Sequence, residues 1–273
     1  MVITSRENPR IKRISKLLTS RKARSEEGEF VIEGIRGCLD AIKSFRDGSA
    51  LEVTGIYYVP RLVSAYDGKL SADIISDVSD NLKFEITKEI ADRLSDAETS
   101  QGVFVTAKTV DIPFKTDDLK FDGKYIVLDG LQDPGNLGTI LRTSDAVGVD
   151  GVMLTGNCVD LYNPKTVRST VGSLARVRIC IENDKAKLFD SFRSKGIKTA
   201  AAVVSGGFEI RSFDFDCGCA VVIGNEGRGL DSDTVGMCSD RVTIRMRGNI
   251  ESLNAATAAA IFLWEMTRGN GNG

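Results

Sequence analysis

Two α/β domains are predicted from this sequence, the second of them built on a parallel sheet. The chain has 273 residues, which exceeds the usual length of one domain. Hydrophobic residues make up 42% and charged residues 27%, a composition typical of globular proteins. From residue 124 onward, short apolar strand patterns alternate with helical patterns, and this alternation is typical of a parallel sheet covered by helices.

The first domain, predicted over residues 1–110, has a mixed α/β pattern. An amphipathic helix is predicted over residues 9–18, with an apolar stripe formed by Ile11, Ile14, Leu17 and Leu18. Strands are predicted at 29–33, 51–59 and 102–107, and helices at 34–45 and 87–94. Residues 111–122 contain a proline and many charges, so we predict a linker there.

The second domain, predicted over residues 123–273, begins with a strand at 125–128, a glycine-rich turn and a helix at 136–147. A second strand follows at 152–154, and Asn163-Pro164 is typical of a helix start. The remaining predicted elements are strands at 177–181, 198–204 and 220–223 and helices at 185–195 and 253–268.

The sequence contains no histidine. This excludes Ser-His-Asp and Cys-His catalysis, histidine general bases and histidine-ligated metal sites. Six cysteines in a chain without a signal-peptide pattern indicate reduced thiols and a cytoplasmic protein. Cys217, Cys219 and Cys238 match no usual zinc spacing, so we predict no metal site and treat them as small buried side chains.

Charge is unevenly distributed along the chain, whose net charge is only −2. Residues 1–24 carry eight basic side chains and one acidic side chain, whereas residues 67–98 have a net charge of −5. Clustered basic residues often contact the phosphates of nucleic acid. We therefore predict an RNA-binding surface on the first helix, and the alternative is a solvated basic face; the candidate residues are Arg10, Lys12, Arg13 and Lys16.

Three polar or glycine-rich segments follow strand patterns in the second domain, where an open α/β sheet binds its ligands. The first, 128–148, places Asn136 at a helix start with Arg142 nearby, a combination suited to anions. The second, IGNEGRGL at 223–230, is neither a dinucleotide fingerprint nor a phosphate loop, and Glu226 within it disfavours phosphate. The third, 244–254, leads into an alanine-rich helix, where Asn254 or Ser252 is also suited to helix capping.

Together these segments resemble the SpoU (TrmH-like) RNA ribose 2′-O-methyltransferases of the SPOUT superfamily. NLGTILRTSDAVG, IGNEGRGL and IRMRGNIESLNAATAAAI resemble the three family motifs in their order, and EGEFVIEGIRGCLDAI resembles the attached substrate-binding domain. Arg245 and Ala255 depart from the family pattern, which commonly has proline and valine there. The resemblance implies a C-terminal SPOUT domain with a trefoil knot, a homodimer formed through it and a smaller N-terminal substrate-binding domain.

The resemblance also implies functional residues. The implied catalytic residues are Arg142, Asn136, Glu226, Ser252 and Asn254. The residues implied to bind the cofactor S-adenosylmethionine are Thr155, Gly156, Gly224, Asn225, Ile244, Met246 and Leu253.

The implied reaction is methylation of a ribose 2′-hydroxyl in RNA, with 23S ribosomal RNA as the expected substrate. Because S-adenosylmethionine carries its own electrophile, such a reaction agrees with a chain that lacks histidine. Arginine has a pKa above about 12, so Arg142 is expected to hold phosphate and stabilise developing charge. Alternatives are a tRNA 2′-O-methyltransferase, a non-catalytic RNA-binding or ribosome-assembly factor and, least favoured, a nucleotide-binding oxidoreductase.

Overall fold

Two compact units make up the chain. The computed structural model describes residues 2–48, 51–67, 70–95, 99–170 and 172–268. One unit consists of residues 1–110 and 160–176, and the other of residues 111–159 and 177–273. Each unit contains a sheet of its own.

The first unit is a mixed sheet with helices. Its elements up to residue 110 are β1 (Val2–Ile3), α1 (Pro9–Thr19), α2 (Arg21–Glu27), β2 (Glu29–Glu33), α3 (Ile35–Arg46), β3 (Val53–Tyr58), α4 (Pro60–Asp67), α5 (Leu70–Ser76), β4 (Lys83–Ile86), α6 (Lys88–Leu94) and β5 (Val103–Lys108). The described strands lie in the order β1-β4-β3-β5-β2, with β5 antiparallel to β3 and β2 and the other pairs parallel.

The predicted amphipathic helix forms as α1. Asn8 caps it by accepting a hydrogen bond from the Arg10 N–H at 2.9 Å, and Pro9 occupies its first turn, where a missing N–H costs nothing. Its buried side chains pack in one core with α6 and with alternate residues of the sheet; they are Ile11, Ile14 and Leu17. Leu18 is only partly buried at the edge of this core.

The second unit has a parallel sheet, which confirms the predicted α/β class. Its elements are β6 (Lys124–Asp129), α7 (Pro134–Val147), β7 (Gly151–Thr155), β8 (Ile179–Ile181), α9 (Lys185–Ser194), β9 (Lys198–Ala202), β10 (Phe208–Glu209), β11 (Cys219–Ile223), α10 (Ser232–Met237), β12 (Asp240–Thr243) and α11 (Ala255–Thr267). The described strands lie in the order β10-β12-β9-β11-β6-β7-β8, and their neighbouring pairs are parallel. The trefoil knot implied by the resemblance stays a prediction.

The strand order brings separate loops to one edge of this sheet. The chain passes from β6 to β7 and β8 on one side, and β11 later pairs with the other side of β6. The loops after β6 and β11 therefore start from adjacent strands at the same edge. Open α/β sheets bind ligands at such a point.

Two segments differ from the predicted domain boundaries. Residues 111–122, predicted as a linker, pack into the second unit. Phe114 and Leu119 are buried in its core, and the Ile112 N–H donates a backbone hydrogen bond to the Ile179 carbonyl at 2.9 Å. Residues 160–176 belong to the first unit although they follow β7 in the chain. They include the helix α8 (Pro164–Thr170).

Side-chain pairs explain why residues 160–176 join the first unit. The guanidinium of Arg24, which is 5% exposed, donates to the Asp160 carboxylate at 2.6 and 3.0 Å. The Tyr162 ring lies 4.8 Å from the Phe30 ring, centroid to centroid. Neither contact produces a periodic pattern of apolar residues. A prediction from hydrophobic patterning therefore places residues 160–176 in the second domain, with their neighbours in the sequence.

Candidate active site

The glycine-rich loop after β11 has a closed conformation. Asn225 and Gly229 exchange backbone hydrogen bonds of 3.1 and 2.8 Å. The Asn225 side-chain oxygen also accepts from the N–H groups of Gly227 and Arg228, at 2.9 and 3.1 Å. A Cβ atom on Gly224 would lie 2.3 Å from the Gly229 carbonyl carbon and 2.5 Å from the Leu230 nitrogen. Glycine is therefore required at position 224 by close backbone approach.

A cavity of about 380 Å³ lies beside this loop. Its wall includes residues at the ends of β9, β11 and β12 and in the first half of α11. The apolar part of the wall includes Val203, Ile223, Ile244, Met246, Leu253 and Phe262. The polar part includes Asn225, Glu226, Glu251 and Ser252. Two predicted cofactor contacts, Thr155 and Gly156, are not part of this wall.

Glu226 links the second motif to the first. Its carboxylate accepts hydrogen bonds from the backbone N–H groups of Gln132 and Asp133, at 3.1 and 3.0 Å, and from the Asn136 amide at 3.0 Å. Burial tends to raise the pKa of Glu226, but these hydrogen bonds outweigh it and hold that pKa below its usual value. Glu226 is therefore an anion at neutral pH. The backbone contribution of Gln132 and Asp133 was not predicted, because N–H groups leave no signal in the residue types.

The third motif joins the same chain of hydrogen bonds. The Asn254 amide donates to the Asn136 side-chain oxygen at 2.9 Å. The Asn254 oxygen caps α11 by accepting from the N–H groups of Ala256 and Thr257, at 2.9 and 3.2 Å. The Asn254 side chain thus both caps α11 and contacts a residue of the first motif. Residues from all three motifs meet in the series Glu226, Asn136 and Asn254.

Arg142 lies apart from the cavity wall. It is exposed on α7, and within the described residues it forms no hydrogen bond or ion pair. Ser252 lines the cavity and is exposed. An arginine without a carboxylate partner keeps its donors available for an incoming anion.

Thr155 and Gly156 lie at the end of β7 and in the loop that follows it. This loop lies next to the loop between β6 and α7 (residues 130–133), here called the first-motif loop. The Gly130 N–H donates to the Thr155 carbonyl at 3.0 Å. Gly156 has a φ of +66°, and a Cβ atom there would lie 2.0 Å from a carboxylate oxygen of Asp129. The Thr155 hydroxyl is buried and has no hydrogen-bond partner in the described part of the chain. The cofactor roles of Thr155 and Gly156 stay predictions.

Comparison with known proteins assigns the family. The family model described as the SpoU rRNA methylase family matches residues 123–264, more than half of the chain. The chain belongs to this family. A second model, the MRM3-like substrate binding domain, matches residues 8–105. Both the predicted resemblance and the presence of an N-terminal substrate-binding domain are confirmed.

Relatives of this SpoU family member match over nearly their full lengths. An uncharacterized tRNA/rRNA methyltransferase of Synechocystis is 30% identical over 269 residues, covering 97% of this chain and 93% of the relative. The 23S rRNA (guanosine(2553)-2′-O)-methyltransferase RlmP of Bacillus subtilis is 28% identical, covering 97% and 98%. A crystal structure of an AdoMet-bound rRNA methyltransferase from Sinorhizobium meliloti is 27% identical, with 98% of both chains covered and a TM-score of 0.83.

The two departures from the SpoU pattern lie in different surroundings. Ala255 is buried at the start of α11 and lines the cavity, where its small side chain adds room. Arg245 is exposed and is not part of the cavity wall. Nothing in the structure explains the arginine at position 245.

The basic N-terminal side chains of this SpoU protein differ in whether they already pair with a carboxylate. Arg13 donates to Glu27 at 2.7 Å and also pairs with the buried Glu29. Lys12 pairs with Glu7. The Arg10 guanidinium lies 4.1 Å from the Phe84 ring centroid, and Lys16 is exposed. Arg10 and Lys16 are therefore the two predicted RNA contacts for which no carboxylate partner occurs in the described residues.

Four of the six cysteines of this SpoU protein are buried, and Cys217 and Cys238 are partly exposed. All six are free. Burial raises the pKa of the Cys219 thiol to about 11 and that of Cys238 to about 12, so both stay protonated at neutral pH. Among the described residues no cluster of three or more Cys, Asp or Glu is placed to hold a metal ion. In the same part of the chain, no helix is long and apolar enough to cross a membrane.

Proposed function

We propose that this protein transfers a methyl group from S-adenosylmethionine to a ribose 2′-hydroxyl of ribosomal RNA. The observation that carries the proposal is the hydrogen-bonded series Glu226, Asn136 and Asn254 beside the cavity, which unites the three motifs. Similarity to the Bacillus subtilis 23S rRNA 2′-O-methyltransferase supports the ribose and the ribosomal RNA as the target. Similarity to the AdoMet-bound Sinorhizobium meliloti enzyme supports AdoMet as the cofactor.

The cavity suits S-adenosylmethionine chemically. Its apolar wall, with Ile244, Met246 and Leu253, is suited to a nucleoside, and Gly224 lets backbone form the wall where a side chain would not fit. Two carboxylates, Glu226 and Glu251, and one cation, Arg228, line the cavity, so its charged side chains sum to a net negative charge, which disfavours a phosphorylated cofactor and favours one that carries positive charge. When bound, S-adenosylmethionine supplies an electrophilic methyl group on a cationic sulfur.

The residues of the chain then bind and orient the substrate. The ribose oxygen would gain a bond to the methyl carbon as the methyl–sulfur bond breaks, and the hydroxyl proton would pass to solvent water. Negative charge develops on that oxygen as the proton leaves. The Arg142 guanidinium carries several N–H donors and is suited to hold an adjacent phosphate and stabilise this charge. Asn136, held by Glu226 and Asn254, would hold the ribose in place with Ser252. Most of the rate acceleration then comes from orientation and electrostatics.

We propose that residues 1–110 form the RNA-binding domain and that residues 123–273 form the methyltransferase domain. The match of residues 8–105 to a substrate binding domain supports the first assignment. Arg10 and Lys16 are the phosphate contacts we favour, because Arg13 and Lys12 already pair with carboxylates.

We also propose a homodimer formed through the second domain, in a reducing compartment such as the cytoplasm. The support for a dimer, beyond the resemblance, is α11, a helix with one charged residue whose Trp264 side chain is 63% exposed. Six free cysteines support a reducing compartment. Light scattering at micromolar protein concentration should give a mass of two chains, and an active monomer would contradict the dimer.

The substrate is tested by mapping 2′-O-methyl groups in RNA from cells with and without this protein. We expect one ribose of large-subunit ribosomal RNA to lose its methyl group when the protein is absent. Loss of a tRNA methyl group would replace ribosomal RNA as the substrate. An unchanged map with intact ribosome assembly would contradict the proposal, whereas an unchanged map with an assembly defect would favour a non-catalytic assembly factor.

A further inference from the structure

Lys185, the first residue of α9, is the centre of a polar cluster that lies outside all three motifs. Its ammonium group donates to Asp129 at 2.7 Å, to Asp231 at 3.1 Å and to the Thr234 hydroxyl at 2.7 Å. The Thr234 hydroxyl in turn donates to Asp129 at 3.0 Å. Asp129 is 6% exposed and Thr234 is fully buried, whereas the Asp231 side chain is 58% exposed, so the cluster extends from the interior of the unit to its surface.

One carboxylate of this cluster adjoins the first-motif loop. Asp129 is the last residue of β6, and the next residue, Gly130, accepts a hydrogen bond from the Asn225 amide at 2.9 Å. The Asp129 carboxylate also occupies the space beside Gly156, where a Cβ atom would lie 2.0 Å from its oxygen. Asp129 therefore lies at the junction of the loops after β6 and β7.

The other carboxylate, Asp231, adjoins the glycine-rich loop after β11 (residues 224–230), here called the second-motif loop. Asp231 directly follows Leu230, whose backbone nitrogen packs against Gly224 so closely that a Cβ atom there would be 2.5 Å away. Asp231 also caps α10 by accepting from the Thr234 N–H at 2.6 Å. Asp231 is therefore anchored at the end of the loop whose Gly229 lines the cavity.

From this arrangement we infer that Lys185 is a positioning residue for the cofactor cavity. Its single ammonium group joins the carboxylates at the bases of the first-motif and second-motif loops and so holds the two loops at a fixed separation. The inference rests on the proposed use of S-adenosylmethionine at this cavity. Without the ammonium group, the buried Asp129 carboxylate would lose its counter-charge, which is costly where water is excluded, and nothing would hold the exposed Asp231 carboxylate close to it.

The test is a matched pair of variants on the same helix, Lys185→Met and Lys187→Met. Lys187 pairs with Glu182 at 2.6 Å, so its replacement also removes an ion pair from α9. It has no contact with Asp129 or Asp231 among the contacts of the described residues. We expect Lys185→Met to weaken S-adenosylmethionine binding about tenfold in calorimetry, and Lys187→Met to bind within twofold of wild type. Lys185→Arg should recover most of the affinity, because arginine restores the charge.

A second readout needs no cofactor. The backbone N–H groups of Asn225 and Gly229 are hydrogen-bonded within the second-motif loop, so they should exchange slowly with deuterium in the wild-type protein. We expect exchange in residues 225–230 to be about tenfold faster in Lys185→Met and unchanged in Lys187→Met. If Lys185→Met does not fold, Lys185→Gln, which keeps a hydrogen-bond donor but no charge, replaces it in both measurements.

The outcomes separate this inference from the proposed function. If wild-type protein binds S-adenosylmethionine and Lys185→Met binds it equally well, with unchanged exchange, the inference about Lys185 is wrong and the proposed function stands. Equal effects of Lys185→Met and Lys187→Met would also overturn it, because they would indicate general destabilisation of α9. If wild-type protein binds no S-adenosylmethionine, the proposed function fails, and the role of Lys185 in the cofactor cavity fails with it.

Discussion

Gly224→Ala is the smallest change that should distort the cavity we propose for S-adenosylmethionine. The added Cβ would lie 2.3 Å from the Gly229 carbonyl carbon and 2.5 Å from its oxygen and from the Leu230 nitrogen. These are backbone atoms in a loop closed by its own hydrogen bonds, so rotation of a side chain cannot relieve the clash. The loop must move by roughly 1 Å to reach ordinary contact, and overpacking of this kind costs about 1–3 kcal/mol.

In the Gly224→Ala variant without cofactor, the loop can move to relieve the clash. Binding then requires the loop to return to its original position, so the cost of the clash is subtracted from the free energy of binding. A change of about 1.4 kcal/mol is tenfold in affinity, so Gly224→Ala should weaken S-adenosylmethionine binding by roughly 5- to 150-fold. Isothermal titration calorimetry measures this directly, with thermal melting as the check on folding. Gly236→Ala is the matched control, because its Cβ meets no atom within 4 Å. Binding by Gly224→Ala within twofold of wild type would refute the reasoning.

Three further changes test other parts of the molecule. Arg142→Ala should lower kcat for methyl transfer by about 10²-fold with a nearly unchanged cofactor Kd, and an equal loss of cofactor binding would contradict its assignment to the RNA. Arg10→Ala with Lys16→Ala should reduce the slope of log RNA affinity against log salt by about 1.5, and an unchanged slope would mean a merely solvated helix face. Arg24→Ala should lower the free energy of unfolding by about 3–5 kcal/mol in urea titrations, because it removes the buried guanidinium and leaves the partly buried Asp160 carboxylate without its counter-charge, while exposed Lys22→Ala should change it by less than about 0.5 kcal/mol.

The elements with strong hydrophobic periodicity were predicted closely. The strand predicted at 29–33 is β2, Glu29–Glu33, and the helix predicted at 185–195 is α9, Lys185–Ser194. β2 buries a continuous run of residues, and α9 buries apolar residues at helical spacing. These apolar patterns are visible in the sequence because they follow from burial against a core. Strands whose residues are mostly exposed or only partly buried leave no such pattern. Examples are β4, β10 and β12, which the sequence did not reveal.

The sequence could not predict which basic side chains of the N-terminal helix are free to contact RNA and which are paired with carboxylates. The sequence treats Arg13 as one of four equivalent cations, but the structure pairs it with Glu27 and with buried Glu29. Burial tends to lower the pKa of Arg13, and the hydrogen bonds and charges of the two glutamates outweigh it and raise that pKa. Replacing all four residues should therefore destabilise the first unit as well as weaken RNA binding.

Within the site, the sequence predicted which residues belong together but not how they are held. Asn136, Glu226 and Asn254 are recognisable from motif resemblance, and the structure joins them by hydrogen bonds of 2.9–3.0 Å. Lys185 could not be found in this way, since it is one of many helical lysines until Asp129 and Asp231 are brought to it by the strand order. Contacts between residues distant in sequence depend on topology, which residue spacing does not encode.

The central claim is tested most directly by locating the methyl group on the product. Purified protein would be incubated with S-adenosylmethionine labelled in its methyl group and with ribosomal RNA, and the RNA would then be digested to nucleosides and separated by mass. We predict label in a 2′-O-methylnucleoside, and far less of it with Arg142→Ala. Label on a base, or no transfer to any RNA by protein that binds S-adenosylmethionine, would contradict the claim.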